Sequence, residues 1–194
     1  MSTARLFIAA PISPSVKNTL ERWTRTLAGE LPFRKWTHPD DYHITLQFLG
    51  ETSAEKQRQV EQALRFTAER HPNFSLTLNG LGLFGPEPSP QILWAGAEGD
   101  TSALRSLQQD VVEAMCKVGY EAESRPYRPH ITLARKYAGP SPFERSKLKS
   151  APQPEAGVTS WLVNEVVLYQ SHSGKRPMYE PLSAFPLTQA MTQR

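Results

Sequence analysis

Cysteine is all but missing from this chain: Cys116 stands alone among 194 residues. A lone thiol excludes an internal disulfide, and its place in a helical apolar pattern makes a buried, structural thiol the expectation. Long apolar runs are missing too. Nothing approaches the roughly 20 residues that a membrane-spanning helix needs, and the mean hydropathy is negative, at −0.48. The N-terminal run Leu6-Phe7-Ile8-Ala9-Ala10 is cut by Pro11 and leads straight into a helix start. It therefore reads as a core strand and not a secretory signal, and a cytoplasmic location is the default. Charge is nearly balanced, with 22 basic against 19 acidic residues and a net +3. That is compatible with a phosphate-bearing partner but does not demand one.

What the chain does contain is a repeated tetrapeptide. His-Ile-Thr-Leu occurs at His43 to Leu46 and again at His130 to Leu133, an offset of 130 − 43 = 87 residues. The offset recurs around it. The apolar run ending in Ala10 has a counterpart in Ile92-Leu93-Trp94-Ala95, the helix start at Ser13 falls on Asp100, and Phe74 to Leu78 falls on Trp161 to Glu165. The chain reads as two diverged halves. At this length, with 39% hydrophobic residues, the expectation is one domain over residues 1–194 with two lobes around a shared core.

Three segments have helical periodicity. Val16, Leu20, Trp23 and Leu27 form a stripe behind Ser13 and Pro14; Val60, Ala63, Leu64 and Thr67 share a face within 53–70, behind Thr52-Ser53-Ala54-Glu55 as a capping box; Leu104, Leu107, Val111, Met115 and Val118 run up to Gly119. Strand patterns cover 5–10, 43–49, 74–83, 91–97, 130–136, 160–170 and 177–185, and the Pro-rich 138–157 reads as a loop with one short helical turn at 143–148. Interspersed helices and strands predict an α+β fold.

Strand geometry gives the motif its force. Side chains alternate, so His43, Thr45 and Gln47 are expected on one face and Ile44, Leu46 and Phe48 on the other; His130 and Thr132 likewise oppose Ile131 and Leu133. Each strand offers an imidazole and a hydroxyl about 6–7 Å apart along one ridge. Two such ridges facing each other would converge two imidazoles and two hydroxyls on one anion. Displacement at a phosphodiester needs one group to take a proton from water and another to give a proton to the leaving oxygen on the far side of phosphorus. Imidazoles with pKa values near 6.5 can do both, the threonine hydroxyls can donate to the non-bridging oxygens, and no metal or cofactor is required.

The segments His43-Ile44-Thr45-Leu46-Gln47-Phe48-Leu49-Gly50 and Pro129-His130-Ile131-Thr132-Leu133-Ala134-Arg135 closely resemble the two-histidine phosphoesterase superfamily, and within it the RNA 2′,3′-cyclic phosphodiesterases, also called 2′-5′ RNA ligases. The resemblance spans nearly the whole chain. It implies a bilobal α+β fold with a mainly antiparallel sheet in each of two pseudo-symmetric lobes, outer helices, and an active-site cleft between the sheets. It implies hydrolysis of RNA or nucleotide 2′,3′-cyclic phosphate ends to 2′-phosphates, with reverse 2′-5′ ligation as the companion reaction. His43 then corresponds to the proton donor, His130 to the proton acceptor, and Thr45, Thr132 and Arg135 to phosphate or substrate binding. No membrane partner and no obligate protein partner is implied.

Several residues keep two readings. Strict alternation puts Arg135 on the face away from His130, so a surface arginine is the competing account; Phe48 falls on the core parity, which favours packing over base stacking. His38, His71 and His172 lie in loop-like sequence and are expected to be solvated. His38-Pro39-Asp40-Asp41-Tyr42-His43 raises metal binding as an alternative, but no second cluster completes a coordination shell. Lys175-Arg176 reads either as an RNA-backbone contact or as an ordinary hairpin tip. A non-catalytic module holding a nucleotide in the same cleft is the second functional class.

Overall fold

Helix α1 (Pro14–Glu30) forms where the apolar stripe meets a good start signal. The Ser13 hydroxyl accepts from the Val16 N–H at 3.4 Å, and Val16, Leu20, Trp23 and Leu27 are all buried. The computed structural model describes residues 3–154 and 158–190. Helix α2 (Ala54–Ala68) starts one residue later than the capping box suggests, with the Ser53 hydroxyl accepting from Lys56 N–H. Helix α3 (Thr101–Lys117) buries Leu104, Leu107, Val111 and Met115, and Gly119 turns the chain at φ 92°. A short α4 (Ser146–Ser150) falls in the Pro-rich stretch.

Nine strands form a single antiparallel curled sheet among the described residues: β1 (Thr3–Pro11), β2 (Phe33–Trp36), β3 (His43–Ser53), β4 (Phe74–Phe84), β5 (Ile92–Gly99), β6 (Ile131–Tyr137), β7 (Ser160–Val163), β8 (Glu165–Ser171) and β9 (Tyr179–Pro186). Their order is β7-β4-β5-β6-β3-β1-β8-β9, with β2 pairing β6. The expected pair of separate sheets is thus corrected: β3 and β6 join at Ile44↔Ile131, and the cleft is the concave face of one sheet. From that junction one arm reads β3-β1-β8-β9 and the other β6-β5-β4-β7. Neither arm is one half of the sequence, because β4 lies in the arm of β5 and β6, while β8 lies against β1.

The core fills the convex side, where Leu6, Ile8 and Ala10 of β1 and Ile44 of β3 join the apolar stripes of the helices. Packing of this kind holds α1 in place, and truncating the fully buried Leu20 to Ala would cost about 2–5 kcal/mol. Two expectations fail on this side. Cys116 is exposed, since it follows Met115 on α3 and so turns away from the stripe. His71 is only 8% exposed and its Nε2 lies 2.9 Å from Asp110, tying the end of α2 to α3. His172 also has a partner, with Nε2 at 2.6 Å from Glu180, and the His38 ring accepts from Asp40 N–H at the start of a 3-10 turn, Pro39–Asp41.

Candidate active site

The junction of the two arms is where the repeated motifs meet. Ile44 pairs antiparallel with Ile131, so the register continued one residue each way sets His43 across from Thr132 and Thr45 across from His130. All four side chains rise from the concave face, while the two isoleucines go down into the core with 0% exposure. Both imidazoles are oriented in the same way. Nδ1 of His43 lies 2.7 Å from the Asp41 carbonyl and Nδ1 of His130 lies 2.8 Å from the Arg128 carbonyl. A carbonyl can only accept, so each Nδ1 carries the hydrogen and each Nε2 is the nitrogen offered to the cleft. At His43 that nitrogen accepts from the Thr45 hydroxyl at 3.0 Å, and no corresponding bond joins Thr132 to His130 among the described residues.

Regular alternation does not survive past the motifs. On β3, Ala9 faces Thr45 but Ile8 faces Gln47, so Leu46 is an extra residue; on β6, Trp94 faces Thr132 but Leu93 faces Ala134, so Leu133 is extra. The two bulges fall at the same motif position, 87 residues apart. Each reverses the facing of the side chains that follow, on β3 as far as a second irregularity at Leu49. Gln47 is buried on the convex side, donating to the Glu121 carbonyl, and Phe48 is 58% exposed on the cleft face near Phe7, with ring centroids 5.9 Å apart. Both sequence-based placements are corrected by this one inserted residue. Arg135 gains from the equivalent flip, since it returns to the face of His130, where its charge lowers the pKa of both histidines. The carbonyls that the first bulge leaves over are met from the other half: Tyr127 hydroxyl donates to Thr45 O and the Gln108 amide to Leu46 O.

The surroundings of the two imidazoles differ. His43 sits among Phe7 (4.9 Å), Tyr179 (5.2 Å, edge-on) and Tyr169 (6.1 Å), and Tyr169 stacks on Phe7. Burial pushes its pKa down to about 4, the Asp41 carbonyl pulls the other way, and His130, Arg135 and Lys17 add to the drop. His130 meets Phe84 edge-on at 4.8 Å and Trp94 at 6.2 Å. Its pKa is also below the usual value, first through burial and then through Arg135, against the pull of the Arg128 carbonyl. Phe7, Phe84, Trp94, Tyr169 and Tyr179 carry no motif of their own in the sequence; only the alternation within their strands could mark them. Lys175 and Arg176 occupy an exposed hairpin tip between β8 and β9. Within the His38 to His43 cluster, the Asp41 carboxylate is taken up by backbone N–H groups of Met178 and Tyr179 and is not arranged as a metal ligand.

Two opposed histidine–threonine pairs thus share one concave sheet with an arginine beside them, and the chain as a whole has known relatives. A model of the 2′-5′ RNA ligase superfamily matches residues 12–175. The chain belongs to that superfamily. An RNA 2′,3′-cyclic phosphodiesterase of Bacillus subtilis is 32% identical over 94% of this chain and 96% of its own length. One from Geobacillus stearothermophilus is 41% identical over 96% of this chain, which spans 58% of that longer relative. Crystalline Escherichia coli LigT in complex with 3′-AMP superposes with a TM-score of 0.77 at 28% identity, covering 97% of this chain and all of LigT. Within the 2′-5′ RNA ligase superfamily, therefore, the chain is grouped with the RNA 2′,3′-cyclic phosphodiesterases. No described helix is long and apolar enough to cross a membrane.

Proposed function

We propose that this chain hydrolyses the 2′,3′-cyclic phosphate at the end of an RNA or nucleotide to a 2′-phosphate, with His43 as proton donor and His130 as proton acceptor. One observation carries the reading: both imidazoles present Nε2 to the same concave face, with Nδ1–H tied to a carbonyl two residues upstream. In the reaction, Nε2 of His130 takes a proton from water as its oxygen bonds to phosphorus. The bond from phosphorus to O3′ breaks on the opposite side, and Nε2 of His43 supplies the proton that O3′ needs to leave as a hydroxyl. Thr45, Thr132 and Arg135 hold the non-bridging oxygens, where negative charge builds. No step calls on a metal or cofactor.

The lowered pKa of His43 shapes the donor role. At neutral pH in the empty cleft the ring is uncharged and accepts from Thr45. A phosphodiester anion brings the missing counter-charge, so the proton comes to His43 with the substrate; once Nε2 is protonated, the Thr45 hydroxyl is released to donate to phosphate. Phe48 and Arg135, in equivalent positions after the two bulges, flank the site from either strand and suit a nucleobase face and a phosphate or base edge respectively. The same steps in reverse join a 2′-phosphate-related end to a hydroxyl. The strand exchange between arms supports reading residues 1–194 as one domain with an internal repeat, and RNA ends as partner suit a cytoplasmic enzyme.

Incubation of the pure protein with a 2′,3′-cyclic nucleotide in EDTA tests this, with 2′- and 3′-phosphate products resolved. Accumulation of 2′-phosphate is the expected result. Binding without turnover would leave the nucleotide-holding module, against which the enzyme names of the relatives already weigh. Activity that disappears in EDTA and returns with zinc or magnesium would restore the metal reading.

A further inference from the structure

The acidic cluster before the first motif has a role that the proposed reaction does not use. Asp41 is 7% exposed, and its carboxylate accepts from Met178 N–H with both oxygens at 3.0 Å and from Tyr179 N–H with Oδ1 at 3.0 Å. Two successive N–H groups converge on one anion, as in a small anion-binding nest and unlike a regular extended strand. Tyr179 opens β9, the edge strand of its arm, and β1 and β8 separate β9 from β3 in the sheet order. The contact is made because the sheet curls. Asp41 thereby fastens the far edge of the arm to the root of the strand that carries His43, while its own carbonyl holds the His43 Nδ1–H.

We propose that Asp41 is a positioning residue: its carboxylate pins the start of β9, and Tyr179 with it, against His43, while its carbonyl orients the same imidazole. The Tyr179 ring meets His43 edge-on at 5.2 Å, and its hydroxyl, kept protonated by burial that raises its pKa, lies close enough to Arg135 for that charge to pull the other way. One side chain therefore sets the enclosure of His43 and the partner of Arg135 together. At the corresponding place before the second motif stands Arg128, which is exposed. The device serves one histidine only.

The inference rests on the reaction proposed for this site, and its test has a readout that does not. The charged and titratable groups facing His43 are Lys17 from α1, His130 just before β6, Arg135 on β6, Tyr169 from β8 and Tyr179 from β9. In Asp41→Ala, water reaches the ring once Tyr179 is released, and the His43 pKa followed by NMR should rise from about 4 towards 6.5. A pKa that stays at its wild-type value overturns the proposal even if the protein hydrolyses no cyclic phosphate. With activity in hand, Asp41→Ala should lower kcat about 10- to 100-fold with KM changed less than about threefold, and Asp41→Asn, which keeps an acceptor oxygen, should recover part of the loss. Tyr179→Ala should lose a similar factor, and the double variant no more than the larger single loss, because both changes break one linkage. If the losses multiply, or if folded Asp41→Ala or Asp41→Asn assayed well below its melting midpoint turns over at the wild-type rate, Asp41 only stabilises the fold. Should Asp41→Ala fail to fold, Asp41→Asn and Tyr179→Ala carry the same comparisons.

Discussion

His43 and His130 share a motif, a tautomer and a strand position, yet their walls are built from different material. Beside Phe7 on β1 lies Tyr169 of β8; beside Trp94 on β5 lies Gly82 of β4. Each pair sits 87 residues from the other, so Gly82 stands where the first arm has a tyrosine. The absence of a side chain there lets the Trp94 ring lie across the strand, since a Cβ at Gly82 would overlap it. The first arm encloses its histidine with several rings and a buried aspartate, and the second covers its own with Phe84 and Trp94. The two motifs carry the same side chains behind unlike walls; burial pushes the His43 pKa down to about 4 and lowers that of His130 as well, so under the proposed assignment the donor gains its proton only with the substrate anion.

The most direct attempt to break the comparison is to remove each imidazole in turn. His43→Ala and His130→Ala should each reduce turnover of a cyclic nucleotide by about 10²- to 10⁴-fold while leaving the circular dichroism spectrum unchanged. Wild-type turnover by either variant would take that residue out of the mechanism.

Stability against pH sharpens the difference. The unfolded chain protonates His43 near 6.5, while burial delays protonation of the native ring to about 4. Above 6.5 the ring is neutral in both states and costs nothing. Between 6.5 and 4 only the unfolded state takes up the proton, so native stability falls, by about 2–3 kcal/mol at pH 4.5. His43→Gln should flatten the dependence of the urea midpoint on pH over that window, and His130→Gln should flatten it less. Equal slopes in the two variants would mean that the walls do not differ in the way their packing suggests.

How much of this can be read from the chain alone divides along physical lines. Helices whose stripes repeat every three to four residues, and the strands that carry the motifs, are legible because burial imposes a period. Phe48, Gln47 and Arg135 defeat strict alternation because one inserted residue at Leu46 and at Leu133 reverses the side chains that follow it, and a bulge leaves no periodic trace. β2 escapes the pattern because Phe33 to Trp36 is only four residues long and carries Arg34 and Lys35 outward. The break at Asn164, which splits one expected strand into β7 and β8, is equally local. His71 reads as solvated beside Pro72 because Asp110, 39 residues away, becomes its partner only in the folded chain. The joining of both arms into one sheet depends on the single Ile44↔Ile131 pair, which lies within the motifs themselves but requires knowing that they meet.

A methyl group at Gly82 probes the second wall without touching a titrating residue. Gly82→Ala must displace the Trp94 ring, at a cost of about 1–3 kcal/mol in stability by chemical denaturation. Because Trp94 covers His130, the same variant should raise the His130 pKa towards 6.5 as the ring is uncovered and leave the His43 titration in place. A shift of both histidines together would show that the arms are coupled through the Ile44↔Ile131 junction and are not separate walls.

The smallest effect concerns the residues just past the two bulges, Phe48 on β3 and Arg135 on β6. They occupy equivalent places but offer a base different surfaces, an aromatic face and a guanidinium. Stacking on an aromatic ring contributes about 1–3 kcal/mol per base, and the lower end applies to a ring that is 58% exposed. Phe48→Ala should therefore raise KM for a purine 2′,3′-cyclic nucleotide about fivefold, with kcat unchanged, because the base is bound equally well before and during the reaction. Arg135→Ala should lower kcat as well if, as proposed, its charge meets the phosphate where negative charge develops. If Phe48→Ala instead lowers kcat and spares KM, the ring is holding Phe7 and hence His43 in place, and the contrast between the two positions would lie in packing and not in what each presents to substrate.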